Sequence, residues 1–107
     1  MSETLRSDGK AVVVLLSSTK SKGDFTLVQG FHGTVMNDGV SGQEVALEIA
    51  QRVVEVNIGS LTGAKGEIIY MNGAGVLTNT NTDRPVLKVV KAKNAGNYVQ
   101  ALVLPQV

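Results

Sequence analysis

The apolar residues of this chain come in runs of six or fewer, and turn signals such as Gly23-Asp24, Asn37-Asp38-Gly39 and Asn72-Gly73 recur between them. That punctuation is the strongest constraint on its fold. Runs of this length suit strands, which are commonly four to eight residues long, better than helices of ten or more. Twelve glycines, many valines and only 4% aromatic residues fit short strands joined by tight turns.

Read along the chain, Lys10–Leu16 is a Val/Leu-rich buried strand, and Ser17–Lys22 is a polar loop ending in Gly23-Asp24. Phe25–Val28 is a second strand. Gly30 and Gly33 bracket Phe31-His32 in a turn, and Thr34–Met36 is a third strand. Asn37-Asp38-Gly39 is a turn signal, because Asp-Gly readily supplies positive φ. Residues 43–56 carry two patterns. Val45, Ala46, Ile49, Ala50, Val53 and Val54 would share one helix face, while Val45/Leu47/Ile49 and Val54/Val56 alternate as in strands. The β-branched Val53, Val54 and Val56 decide for strands. Strands at Ile68–Met71, Val76-Leu77, Val86–Val90 and Tyr98–Leu104 follow, separated by Asn72-Gly73, the Thr78–Asp83 loop and the Asn94–Asn97 turn. Pro105 ends the last strand because it cannot donate to a ladder. About eight short strands with frequent turns predict an all-β fold, a small β-barrel or β-tulip. A faint internal echo pairs Lys22-Gly23-Asp24 with Lys65-Gly66-Glu67, each ahead of four strand residues and a second turn.

Residues 1–9 hold one sizeable apolar side chain besides Met1, Leu5, so they read as a flexible N-terminal arm, with residues 10–107 as a single domain. A chain of 107 residues can bury about two-thirds of its unfolded surface. Its longest apolar run, Ala11–Leu16, is six residues, far below the about 20 of a spanning helix, and the start shows no secretion-signal pattern. Ten basic and nine acidic residues give no electrostatic reason to expect nucleic acid or an anionic membrane. With no cysteine, neither a disulfide nor a thiolate metal site is available.

No catalytic constellation emerges. Ser or Thr nucleophiles need an oriented base, and the single histidine, His32, reads as an exposed turn residue rather than a base backed by Asp38. One histidine without cysteine gives no metal-ligand spacing. Gly9-Lys10 is followed by Ala11, so the P-loop pattern fails, and Gly73-Ala74-Gly75 lacks the third glycine of a dinucleotide fingerprint. The carboxylates are scattered. A hydrolase built on a carboxylate pair is the rival from the enzyme class, but no Trp supplies a sugar platform. Lys88, Lys91 and Lys93 near Tyr98 could serve a single-stranded nucleic acid, although lysines also guard strand edges against unwanted pairing. The expectation is a chain that is not an enzyme and uses no cofactor or metal.

From Lys22 to Leu104 the order of motifs is characteristic: Lys-Gly-Asp before an apolar strand, Gly30-x-x-Gly33, Asn-Asp-Gly-Val (37–40) and Gly-Gln-Glu-Val-Ala-Leu (42–47). Val-Val-Glu-Val (53–56), Lys-Gly-Glu leading to Tyr-Met-Asn-Gly (65–73), Gly-Val-Leu-Thr (75–78) and a C-terminal strand pair complete it. This order, covering about three-quarters of the chain, resembles the phage capsid cement, or decoration, proteins, some of which have carried a recombinase label. Two features depart from the family pattern: Gln51-Arg52 stands where Gly often precedes Val-Val-Glu-Val, and the Thr78–Asp83 loop replaces a shorter Ala/Thr-rich stretch.

The resemblance implies a β-barrel or β-tulip on the outer surface of an expanded phage head, made in the host cytoplasm. Its partner would be the major capsid protein, and it would sit as a homotrimer at three-fold or quasi-three-fold sites. A ligand that binds only the expanded shell stabilises it by mass action, and many weak sites add through multivalency. The arm would then order on the capsid, with Thr4, Leu5 and Arg6 as contact residues: Leu5 an apolar anchor and Arg6 a partner for a capsid carboxylate. The rival structural reading is a head-fibre or tail component with the same fold.

Overall fold

The computed structural model describes residues 10–106. The all-β class holds: nine strands and no helix occur among the described residues. They are β1 (Ala11–Leu15), β2 (Phe25–Val28), β3 (Phe31–Val35), β4 (Glu44–Glu48), β5 (Val53–Asn57), β6 (Ile68–Met71), β7 (Leu77–Thr78), β8 (Arg84–Lys91) and β9 (Tyr98–Val103). Residues 43–56 resolve as the strands β4 and β5, as the β-branched valines required. The described residues divide into two compact units, one ending at Ala50 and the other beginning at Gln51, each holding one antiparallel sheet. One of the sheets is curled as a half-barrel.

In the first unit the strand order is β1-β4-β3-β2. One face collects Val14, Leu16, Val28, Val35, Val45 and Leu47 as a core, with Val12 and Ile49 packed against it. The β2–β3 hairpin closes through Gln29-Gly30, whose φ angles of 50° and 85° are those of a two-residue turn matched to strand twist. The turn therefore lies two residues ahead of the Phe31-His32 position expected from the sequence, and His32 is a strand residue. Gly33 is not turn punctuation either. A Cβ at this position would overlap the Glu48 carbonyl oxygen and press on the Leu47 side chain, so glycine lets β3 close on β4.

In the second unit the order is β5-β9-β8-β6-β7. Val99, Ala101 and Val103 of β9 face inward with Leu87 and Val89 of β8 and with Ile69 and Met71 of β6. Ile69 pairs with Leu87 and Tyr70 with Pro85, so Val86 is the extra residue of a β-bulge. Val86 and Leu87 are consecutive, yet both are fully buried. The loops Asn72–Val76 and Asn94–Tyr98 share one design. Asn72 Oδ1 accepts from Ala74 and Val76 N–H, and Asn94 Oδ1 accepts from Gly96 and Tyr98 N–H. The fourth residue of each, Gly75 or Asn97, has positive φ.

A second repeated device spans both units and resolves the internal echo. Ser21–Asp24, Val40–Gln43 and Ala64–Glu67 are turns closed by a bond from the fourth N–H to the first carbonyl, each 3.0 Å. The third residue is a glycine at φ 95°, 89° and 88°, as a type II turn requires. The fourth side chain (Asp24 Oδ2, Gln43 Oε1, Glu67 Oε1) accepts from the first residue's N–H at 2.8, 2.9 and 2.9 Å. Each glycine N–H donates to a neighbouring strand carbonyl, of Val35, Leu16 and Val89 respectively. The N–H of that residue donates back to the fourth residue's carbonyl. Each turn thus launches a strand, β2, β4 or β6, in fixed register.

Candidate interaction surface

β1 is an edge of the first sheet. Ile49 N–H donates to Lys10 C=O, and Leu16 N–H donates to Gln43 C=O. The even-numbered residues of β1 therefore carry the bonds to β4, while the odd-numbered ones turn their backbone groups to the open side. Leu15 N–H is taken by Gln29 Oε1 at 2.9 Å. Ala11 and Val13 remain facing the open edge.

The same odd-numbered residues present their side chains on the face opposite the core. Val13 is 68% exposed and Leu15 46%. Val13 lies opposite Ala46 of β4, and Met36, 43% exposed, bonds through its N–H to Ala46 C=O. Val13, Ala46 and Met36 thus form a cross-strand apolar row. Beside it runs a groove of about 450 Å³ lined by Val13, Asn37, Asp38, Gln43, Glu44, Val45 and Ala46. The sequence reading of Lys10–Leu16 as a buried strand is corrected here. An unbroken apolar run is compatible with burial on both faces, but edge position leaves one face and one side of β1 open.

His32 also departs from expectation. It is fully buried within β3, on the face that carries Leu27 and Thr34, with its ring 6.3 Å from that of Phe25. Asp38 lies beyond the other end of β3, which closes at Val35 about 10 Å of strand on from His32, and there its Oδ1 accepts from Lys22 N–H. The structure does not bring the two together as an acid–base pair. Other carboxylates likewise hold backbone: Asp24 and Glu67 lock turns, and Glu67 also accepts from Thr62 Oγ1. Asp83 Oδ2 accepts from Thr78 Oγ1. Among the described residues no group of three His, Asp or Glu could hold a metal ion.

The basic stretch divides in two. Lys93 Nζ donates to Gly59 C=O at 3.1 Å and to Leu61 C=O at 2.7 Å, so its ammonium is committed to holding the 58–63 loop. Lys91 lines a small depression of about 70 Å³ with Glu55, Tyr98 and Gln100, where a carboxylate shares the surface with the cation. The arm residues Thr4, Leu5 and Arg6 lie outside the described residues. In sequence the arm leads through Gly9 and Lys10 directly into β1.

Neither the protein-family models nor the curated proteins contain a match to this chain.

Proposed function

We propose that this chain is a structural decoration protein that binds the outer surface of an expanded phage head and stabilises the shell, contacting major capsid protein subunits as a homotrimer. The observation that carries the reading is the surface of β1. The strand into which the arm leads carries an exposed apolar row, Val13 with Ala46 and Met36, beside an open groove. An exposed apolar row of this kind suits a protein partner. The motif order from Lys22 to Leu104 supports the same reading.

The test is co-sedimentation of the purified chain with expanded heads and, separately, with unexpanded proheads of the phage that encodes it. Saturable binding to expanded heads alone, at a fixed ratio to capsid subunits, is the expected result. Binding to neither would overturn it and favour a head-fibre or tail role. A gel shift with single-stranded nucleic acid that weakens steeply with salt would instead favour a nucleic-acid module.

A further inference from the structure

We infer that β1 is a self-pairing edge, joining two copies of this chain through an antiparallel contact centred on Val12. The backbone pattern defines the register. The groups turned to the open side belong to Ala11, Val13 and Leu15, and Gln29 already occupies the Leu15 N–H. A two-fold pairing centred on Val13 would set Ala11 against Leu15 and call on that occupied donor. One centred on Val12 sets Ala11 against Val13 in both directions. It forms four backbone bonds from the N–H and C=O groups of those two residues, leaving the Leu15–Gln29 bond intact. The side chains suit such an isologous contact. β1 reads Ala-Val-Val-Val-Leu, so no like charges oppose each other. The 68%-exposed Val13 meets the partner's Ala11, extending the apolar row across the junction.

An edge this short buries well below the about 1,200 Å² of a standard interface, so the pair is weak in dilute solution and forms where copies are crowded. Its two-fold symmetry sets it apart from a three-fold cluster: it would link one trimer to the next.

The chain has no cysteine, which permits a clean cross-linking test. Directly opposed residues of a hydrogen-bonded pair have Cα atoms about 5.5 Å apart, within the range a disulfide spans. Diagonal neighbours, at about 7–8 Å, lie beyond it. A mixture of full-length Ala11→Cys and Val13→Cys chains at high concentration under mild oxidation should therefore give a disulfide-linked dimer that neither chain gives alone. In the cysteine-free chain, Val13→Lys should leave the urea midpoint unchanged and lower self-association in sedimentation equilibrium by about tenfold or more. A mixture that yields no mixed dimer overturns the proposal. So does Val13→Cys linking efficiently to itself, which would place the axis at Val13, or unchanged association on Val13→Lys.

Discussion

Leu15 and Gln29 belong to opposite sides of the first sheet, yet the Leu15 N–H donates to Gln29 Oε1 at 2.9 Å. β4 pairs with Ala11 and Thr34 at its Glu48 end, and Leu15 lies at its Glu44 end. The Gln29-Gly30 turn caps β2 and β3 beyond the Glu48 end. In a flat sheet the two residues would occupy opposite corners, with β1 and β2 three interstrand spacings, about 14 Å, apart. The bond therefore requires a strongly coiled sheet.

Gln29→Ala should remove the bond and lower stability by about 0.5–1.5 kcal/mol in urea unfolding. Because Gln29 has φ 50°, Gln29→Gly relieves left-handed strain of about 1 kcal/mol and should be more stable than Gln29→Ala by that margin. Amide exchange at Leu15 should quicken in both. Unchanged exchange would mean that the bond does not hold the edge in solution.

The three launching turns make a prediction about equality. A Cβ added at Gly23, Gly42 or Gly66 meets nothing within 4 Å, so substitution there meets only the conformational penalty. Alanine at each should cost about 1–2 kcal/mol, and the three values should agree despite the different strands launched. Widely different losses in chemical denaturation would show that the turns are alike in outline only.

Gly33→Ala tests a different mechanism. Here the φ angle is ordinary, and the obstacle is the Glu48 carbonyl with Leu47 behind it. Forcing β3 away from β4 should cost about 1–3 kcal/mol, as overpacking does, and should loosen the Thr34–Glu48 pairing. Deuterium exchange localised to β3 and β4 would show it. A neutral substitution would mean that the two strands have room to separate.

Much of the strand layout was legible because turn chemistry is local: Gly-Asp, Asn-Gly and Gly-Glu announce themselves within four residues. The choice of strands for 43–56 rested on Val53, Val54 and Val56, and β-branching acts on each residue's own backbone. What escaped depends on pairing. Gly33 resembled turn punctuation because its role is set by a carbonyl on another strand, and His32 was misplaced with it. The exposure of Val13 and Leu15 follows from the edge position of β1, which no run of apolar letters encodes. The third launching turn, Val40–Gln43, was hidden because Ser41 and Gln43 stand where the other copies have lysine and an acid. A neutral amide oxygen accepts the same bond as a carboxylate.

Lys93 separates a structural lysine from a binding one. Its ammonium donates to two loop carbonyls, and bonds from a charged donor are worth about 1.5–3 kcal/mol. Partial exposure screens this, so Lys93→Met should cost about 1–2 kcal/mol, whereas Lys91→Met, on an open surface beside Glu55, should be nearly neutral. If the basic stretch instead served a nucleic acid, Lys88→Met and Lys91→Met would both weaken retention of a single-stranded oligonucleotide and flatten its salt dependence. Thermal unfolding of the Lys91 and Lys93 variants beside one filter-binding series on all three distinguishes the cases. Loss of stability confined to Lys93, with no retention of oligonucleotide by the parent chain, is the expected outcome.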